Sequence, residues 1–447
     1  MPLELHDIEQ TPLADSLARM KGLVSEHTGV IGRAHLLLAA PDDIPLVSVF
    51  CETGEGRDVI GWPGTHPGNG SGRSADEAFT AAVGEAAERY SACYTADAGA
   101  FVATAREIGA AAVEPWRFSL YSDHQYAMPG FPYACFTSET RVAWVPGAEL
   151  PSGATVYLPA QLVYLAWPPM RGEARIGRST SNGLAAHATT EEATLRGLLE
   201  LIERDAFMIT WRARLSWPQL SWDGNLRLQE FEQRYLRPTG IRVAAVDLSR
   251  FWNLPCVLGV ARSDAPHEAP FGVGAAAAAT AEAAVEKALD DAVRVRSWAR
   301  DLRRRDPDAR SVSPPAQIRS FDEHIAFYAY DENAARASFL DAGRERRHVR
   351  DVARLEGPRV RAQIEAICAR LEAAGTTAYV ADVTAPDVRE AGLRVIKVVA
   401  PELCPLDVEH AARCLGGRRL YDVPCRLGLR ESALSADDLN PDPHPFP

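Results

Sequence analysis

No two cysteines in this 447-residue chain stand close enough to make a CxxC pair. The eight are spread from Cys51 to Cys425, and the nearest two, Cys404 and Cys414, are ten residues apart. There is no HExxH either, so neither zinc nor dithiol chemistry has a local signature. A chain this long does not need a disulfide framework, and reduced thiols are expected. No apolar run approaches the length of a bilayer, and the opening "MPLELHDIEQ" is acidic and has no apolar h-region, so neither a membrane partner nor a signal peptide is expected and the location reads as cytoplasmic. Positive charge is short overall. A formal net charge of -12 argues against nucleic acid as a partner, because binding phosphate backbone needs a basic surface. The Arg-rich run from Arg294 to Arg305 is the exception, and it reads as a solvated helix end. A P-loop is missing too: the glycine cluster "GNGSG" is not followed by Lys-Ser/Thr.

The composition that remains is ordinary for a globular protein, with 47% hydrophobic and 24% charged residues. The length allows two or three domains or one large α/β unit. "PLADSLARMKGLVS" reads as a short helix, "HLLLAA" and "PLVSVF" as strands, and "GWPGTHPGNGSGRS" as a loop rich in glycine and proline. A helix is expected from Ser74 to about Tyr94 and another from about Thr190 to Leu215. "YLPAQLVYLAW", "IRVAAVDLS", "LPCVLGVARS", "TTAYVADVT" and "LRVIKVVAPEL" read as strands. "AAAAATAEAAVEKALDDAVRVRSWARDLRRR" reads as one long helix on alanine propensity. Helices alternate with strands, so the fold class is α/β or α+β.

One helix can be laid over another. "SADEAFTAAVGEAAERY" begins at Ser74 and "TTEEATLRGLLELIERD" at Thr189, and the offset of 115 residues holds for Glu77 and Glu192, Glu85 and Glu200, Glu88 and Glu203, and Arg89 and Arg204. Each opens with the pattern of a capping box, and Gly68 and Gly183 stand in register in the small-residue loops ahead of them. Residues three and four apart are helix neighbours, so Glu192, Arg196, Glu200 and Glu203 share one face while Leu195, Leu198, Leu199, Ile202 and Ala206 form an apolar one. Read as solvated surface helices, these pairs are worth tenths of a kcal/mol each. Two such helices with matching caps point further, to facing carboxylates that need cations between them. Oxygen-only ligands suit Mg²⁺ or Ca²⁺, and Mg²⁺ commonly bridges a few carboxylates to substrate phosphates. Arg89 and Arg204 would hold phosphate oxygens or pair the glutamates. The residues thus point to a Mg-nucleotide site built by a pseudo-twofold duplication of sheet and ExxER helices.

"STSNGLAAHATTEEATLRGLLELIERDAF" closely resembles the central signature of the YcaO superfamily. "GEAAERY", "AVEKALDDAVRVRSW", "LRVIKVVAPEL" and "GRRLYDVPCRLGL" fit it in the right order, from about Pro63 to the C-terminus. The resemblance implies a YcaO-type ATP-binding fold unrelated to P-loop proteins, with ATP and Mg²⁺ as cofactors. It implies that Glu85, Glu88, Glu200 and Glu203 hold Mg²⁺ on the nucleotide phosphates, with Glu192 beside them. Arg89, Arg204, Ser71, Lys287 and Asp291 fall at nucleotide-binding positions. Three residues depart from the family pattern: Ser71 stands where relatives often carry lysine, His187 where many carry glycine, and Lys287 where an arginine is usual.

The activity implied is that of an azoline-forming cyclodehydratase. Cys, Ser or Thr of a ribosomal precursor peptide attacks the preceding backbone carbonyl, ATP phosphorylates the oxyanion, and loss of phosphate leaves a thiazoline or oxazoline. Such chemistry needs positioning and charge neutralisation and no side-chain nucleophile. Same-fold relatives make thioamides or amidines, and a catalytically silent scaffold is a third reading. The expected organisation is an N-terminal segment (1–62) packed on the core, a catalytic domain (63–430) and a proline-rich tail (431–447) reaching the active site. The first segment is too short for a peptide-recognition domain, so a separate E1-like or ocin-type leader-binding protein is expected as a partner, with an azoline dehydrogenase as a further candidate and a homodimer as the oligomeric state. The last residues, "PDPHPFP", make a stiff rod. Their resemblance to the PxPxP terminus of azoline-forming members implies catalytic roles for Pro443, Pro445 and Pro447.

Overall fold

Strand pairing begins where β-branched and aromatic residues alternate. A computed structural model describes residues 4–56, 64–265, 268–305 and 315–446. Its first sheet is antiparallel, in the order β1 (Ile31–Leu37), β2 (Val47–Thr53), β3 (Pro67–Gly72). The other strands are β4 (Phe101–Ala103), β5 (Val142–Glu149), β6 (Thr155–Pro159), β7 (Leu184–His187), β8 (Gln219–Ser221), β9 (Arg242–Asp247), β10 (Cys256–Arg262), β11 (Phe271–Ala277), β12 (Arg346–His348), β13 (Tyr379–Asp382) and β14 (Arg394–Val399). Five of them form a sheet ordered β11-β10-β9-β8-β12, and six form a sheet ordered β4-β5-β13-β14-β7 with β6 paired to β5.

The helices that matter for the site are α1 (Leu13–Lys21), α2 (Ala75–Ser91), α3 (Thr190–Arg212), α4 (Ala281–Arg305), α5 (Phe321–Phe327) and α6 (Val360–Ala373). α2 lies on β2 and β3, α3 on β7, β14 and β11, and α4 on β10 and β11. The largest core cluster gathers around α3, through Leu198, Ile202, Phe207 and Trp211.

Four local expectations need correction. "PGNGSG" is a strand and not a loop: it pairs with β2, and its glycines let α2 approach the backbone. A Cβ on Gly68 would stand 2.0 Å from the Ala82 carbonyl oxygen, and one on Gly70 would stand 2.1 Å from that of Ala78. The polyalanine run is not one helix. Ala275, Ala276 and Ala277 are buried in β11 opposite Leu258, Val257 and Cys256, and the helix starts only at Ala281; sheet pairing overrides alanine's helix propensity. "YLPAQLVYLAW" leaves its strand at Pro159 and turns into a short helix, Ala160–Val163. The Arg-rich end of α4 is only partly solvated. Arg296 and Arg300 are buried and paired with Asp42, and Arg300 also reaches Asp43 at 3.0 Å.

α2 and α3 keep the hydroxyl half of the expected cap. Ser74 Oγ accepts from the Glu77 N–H and Thr189 Oγ1 from the Glu192 N–H, each at 3.2 Å. The reciprocal half is absent. Glu77 accepts from the Arg73 N–H at 2.7 Å, and Glu192 accepts from the Thr11 N–H. The approaches also differ, since Gly68 lies in β3 while Gly183 lies in a turn at φ +76. The two helices rest on sheets of three and six strands. Their likeness is therefore one of helix, cap hydroxyl and ExxER cluster, and the expected duplication of whole sheets is not established.

Both ends of the chain pack on α3. Leu5 is buried in the main core, His6 N–H donates to Glu191 at 2.8 Å, and Val360 N–H donates to the Ile8 carbonyl at 3.3 Å. No helix among the described residues is long and apolar enough to cross a membrane, and all eight cysteines are unpaired.

Candidate nucleotide site

At the edge of the six-stranded sheet, Glu88 of α2 stands close enough to α3 to feel the charge of Glu200. Glu88 Oε1 accepts from the Ala186 N–H of β7 at 2.9 Å, which ties α2 to the strand that leads into α3. Arg89 pairs with Glu85 and donates to the Pro67 carbonyl at 2.7 Å. Arg204 pairs with Glu203 and, at 3.3 Å, with Glu200. Each arginine thus ties up one oxygen of its glutamate, which is the pairing alternative for the two ExxER arginines.

Electrostatics reaches across the helices. Glu88 keeps an opening to solvent, yet the packing around it, with Glu200 and Glu85 as like charges, pushes its carboxyl up to about 8. Burial, with Glu200 and Asp291 nearby, pushes Glu203 up to about 7, against the pull of Arg204 and Arg196. α4 supplies the third wall. Lys287 pairs with Asp291 at 2.8 Å and Arg294 with Asp291 at 3.6 Å, and Ser71 Oγ donates to Asp290 at 2.8 Å. Burial raises the Asp290 carboxyl. Asp291 is held below the ordinary range: burial opposes this, and Lys287 and Arg294 override it.

The donor set fits a Mg-nucleotide. Among the described residues no hydrogen-bond donor reaches Oε2 of Glu88, Glu200 or Glu203, so each keeps a free oxygen. No three His, Cys, Asp or Glu side chains among them converge into a closed cage. Mg²⁺ does not need one, because it keeps waters and completes its shell with phosphate oxygens. Arg196, Arg294 and Lys287 stand within reach of the same charges.

Glu192 is held by the N-terminal segment, and one expected site residue lies outside the description. The Glu192 carboxylate takes the Thr11 N–H, the Thr11 hydroxyl at 2.8 Å and the Thr189 hydroxyl at 2.9 Å, with His187 Nδ1 also at 2.9 Å. Burial would raise its pKa, but His187 and Thr11 hold it down at about 2. Pro447 lies outside the described residues.

The rest of the tail is a buried element of α3's surroundings. Arg212 donates to the Asn440 and Asp442 carbonyls at 3.2 Å, and Tyr328 donates to the Pro443 carbonyl at 2.5 Å. Pro443 and Pro445 are buried. His444 stacks on His324 of α5 with ring centroids 4.0 Å apart. Phe446 packs on Phe207 at 4.7 Å, and the Arg204 guanidinium lies 4.2 Å over its ring. That contact joins the tail to the arginine that pairs Glu200 and Glu203.

A family profile described as YcaO cyclodehydratase, ATP- and Mg²⁺-binding, matches residues 69–404. The chain belongs to the YcaO family. ATP and Mg²⁺ are therefore the cofactors of its fold. A heterocyclase in complex with substrate and cofactor superposes with a TM-score of 0.81 at 24% identity over 100% of this chain and 59% of that one. The YcaO from Methanopyrus kandleri bound with AMPPCP and Mg²⁺ has a TM-score of 0.64 at 20% identity, over 92% of this chain and 98% of that one. An uncharacterized protein in the tfuA 3' region of Rhizobium leguminosarum bv. trifolii is 43% identical over 70 residues, 15% of this chain and 16% of that protein. This YcaO protein thus spans about three-fifths of the heterocyclase and matches only a small part of the Rhizobium relative.

Two buried charged residues near these acids escape a sequence reading. Asp290 is hidden by its neighbour in "DD", and only the hydrogen bond from Ser71 separates their roles. Lys397 stands in the apolar run "RVIKVV", where a charge at a buried strand position is the available signal.

Proposed function

We propose that this YcaO protein is an ATP- and Mg-dependent cyclodehydratase that converts Cys, Ser or Thr of a ribosomal precursor peptide into thiazolines or oxazolines. The observation that carries the reading is the buried tail, whose Phe446 ring lies under Arg204 on the helix stretch that bears Glu200 and Glu203. A proline-stiffened segment loses less entropy on docking than a flexible one, which suits a segment held beside reacting atoms.

The chemistry asks little of side-chain nucleophiles. The peptide's own thiol or hydroxyl attacks the carbonyl carbon before it and gives up its proton. Bound Mg-ATP supplies the phosphoryl group that the resulting oxyanion takes, with ADP leaving. Departure of phosphate, with loss of the amide proton, forms the ring C=N bond, so the peptide loses one water for each ATP converted to ADP and phosphate. The free Oε2 atoms of Glu88, Glu200 and Glu203 would hold the metal, with Glu85 completing the cluster. Arg89 and Arg204 keep the acids oriented, and Lys287 and Asp291 close the α4 side. Pro443 and Pro445 fix the tail, and a role at the peptide is assigned to Pro447.

The peptide must be delivered. The partner proposed for that delivery is a separate E1-like or ocin-type leader-binding protein. An azoline dehydrogenase acting on the product, a homodimer and a cytoplasmic location complete the reading. Co-expression with a precursor and its leader-binding partner should yield peptide lighter by one water per ring, read by mass spectrometry. A gain of sulfur in place of oxygen would replace the reading with thioamide formation. Appending residues after Pro447 should stop cyclisation while Mg-ATP still binds. Deletion of Pro443–Pro447 is the poorer test, because it also strips His444 and Phe446 from the core.

A further inference from the structure

β14 carries a lysine where its pattern asks for an apolar residue. Val395 and Val399 join the core beneath α2, and Ile396 and Val398 join the core around α3. Lys397 lies between them on the same strand, only 4% exposed. An ammonium in such a place is costly unless it is hydrogen-bonded and paired. Its Nζ donates to the Thr180 carbonyl at 2.6 Å and to the Asn182 carbonyl at 2.7 Å, and the nearby charge of Glu200 favours its protonated form. Burial still brings its pKa down to about 8.

The two carbonyls belong to a tight turn, closed by the Leu184 N–H on the Ser181 carbonyl at 2.8 Å. Gly183 occupies it at φ +76, where an added Cβ would stand 2.4 Å from the Val398 carbonyl and 3.1 Å from Leu201. Gly197 faces the same turn, 2.6 Å being left between a Cβ there and the Gly183 carbonyl. The turn is therefore seated on the part of α3, residues 197 to 201, that bears Glu200. Within it Asn182 is 6% exposed, and its Nδ2 is buried with no acceptor among the described residues. A buried donor left unpaired is costly, and a ligand that supplies the acceptor removes that cost.

We propose that Lys397 is a positioning residue of the nucleotide site, fixing the Thr180–Gly183 turn so that the free amide of Asn182 donates to an oxygen of the bound Mg-nucleotide. The proposal rests on the ATP-dependent reading above and adds two residues to it. Lys397 holds the turn through its two carbonyls, and Asn182 makes the contact.

Calorimetric titration of the full chain with Mg-AMPPCP tests it. Asn182→Ala removes an amide nitrogen with no partner among the described residues, so its melting temperature should stay within a degree or two of wild type while affinity falls at least tenfold. Lys397→Met should lose at least as much affinity, and Lys397→Arg, which keeps charge and donors, should recover part of it. Because Lys397 acts through Asn182, the double variant should bind no more weakly than Lys397→Met alone. Unchanged affinity in Asn182→Ala overturns the proposal, as do losses that simply add. If Lys397→Met fails to fold, Asn182→Ala decides alone. Wild-type protein with no affinity for Mg-AMPPCP would overturn the ATP-dependent reading and this inference with it. Wild-type binding matched by Asn182→Ala would overturn only the inference.

Discussion

α2 starts in solvent and α3 starts under a strap. At the head of α2, Glu77 is exposed and folds back onto the Arg73 N–H. At the head of α3, Glu191 and Glu192 are buried and hold the N-terminal segment through His6 and Thr11. The bodies of the helices differ as much. α2 buries alanines and Val83 against a strand of glycines, a contact made by backbone. α3 buries Leu198, Ile202, Phe207 and Trp211, and its last turns carry the tail. Yet both bring an ExxER cluster to the same place. The comparison teaches that the site constrains the polar face alone, and that each helix is anchored by whatever its own sheet provides.

The largest expected effect strikes what the two helices share. Glu88→Gln and Glu203→Gln should each abolish Mg-ATP turnover while leaving the melting temperature of the metal-free protein at or above wild type. Full ATPase activity in both would dissolve the metal-site assignment. The pH dependence has a definite sign. Both folded carboxyls lie above the unfolded value of 4.5, at about 8 and about 7, so the folded state holds the extra protons. Stability of the metal-free protein should therefore fall as pH rises from about 4.5 to about 8, and Glu88→Gln should flatten that fall. Thermal melts across this range, without and with Mg-AMPPCP, measure it.

The next effect separates the helices by their docking. Gly70→Ala would drive a Cβ to 2.1 Å from the Ala78 carbonyl and 2.4 Å from the Ala82 N–H, so α2 must lift from β3. A loss of ~3 kcal/mol or more is expected, of the size reserved for core overpacking. Gly84→Ala, on the same helix, meets only Met20 Cε at 3.5 Å and should be neutral or stabilising. Equal melting temperatures for the two variants would show that α2 is not held by glycine contact.

These contrasts also explain what a sequence can and cannot display. The ExxER spacing is legible because a helix turns 3.6 residues into one face, and the charge of Glu200 acts on both Glu88 and Glu203. β9, β10, β13 and β14 are legible as apolar runs with β-branched residues. "PGNGSG" is not, because glycine carries no strand propensity and its pairing with β2 depends on an approaching helix. Ala275 to Ala277 mislead for the converse reason, since a good helix former fills a strand buried on both faces, with Ala276 in the core under α4 and Ala275 and Ala277 in the core around α3. Arg296 and Arg300 look solvated until Asp42, some 250 positions away, is found beside them. Long-range partners of this kind leave no local trace. The placement of Glu192 is of the same sort, decided by Thr11 at the other end of the chain's first half.

Glu192→Gln sharpens the comparison at the helix heads. The Gln oxygen can still accept from the Thr11 N–H, while its NH2 cannot accept from the Thr11 and Thr189 hydroxyls or from His187, so the change removes the charge together with those acceptor contacts. The folded pKa of about 2 lies below the unfolded value of 4.5, so this carboxylate contributes stability above pH 4.5 and loses it as pH falls toward 2. The shift corresponds to about 3 kcal/mol at pH 7. Denaturant unfolding should show that loss at pH 7 and little difference between the proteins near pH 2. Mg-AMPPCP affinity should change less than twofold. A large loss of affinity with stability unchanged would return Glu192 to the nucleotide contacts.

The smallest effect is expected at the matching position of α2. Glu77→Gln leaves the Ser74 hydroxyl cap in place, because that cap takes the backbone N–H of residue 77 and not its side chain. What changes is an exposed carboxylate that accepts from the Arg73 N–H and faces the positive end of the helix dipole, a contribution of about 0.3–1 kcal/mol near a helix N-terminus. The substitution keeps an oxygen acceptor, so the expected loss sits at the low end of that range and shrinks further in high salt. Unfolding curves for Glu77→Gln and Glu192→Gln, run side by side at low and high ionic strength, test the whole contrast. The Glu77 loss should be small and salt-sensitive, and the Glu192 loss several times larger and nearly independent of salt. If the two losses matched in size and in salt response, the strap would contribute nothing to α3 and the two helices would be equivalent at their heads as well as at their acids.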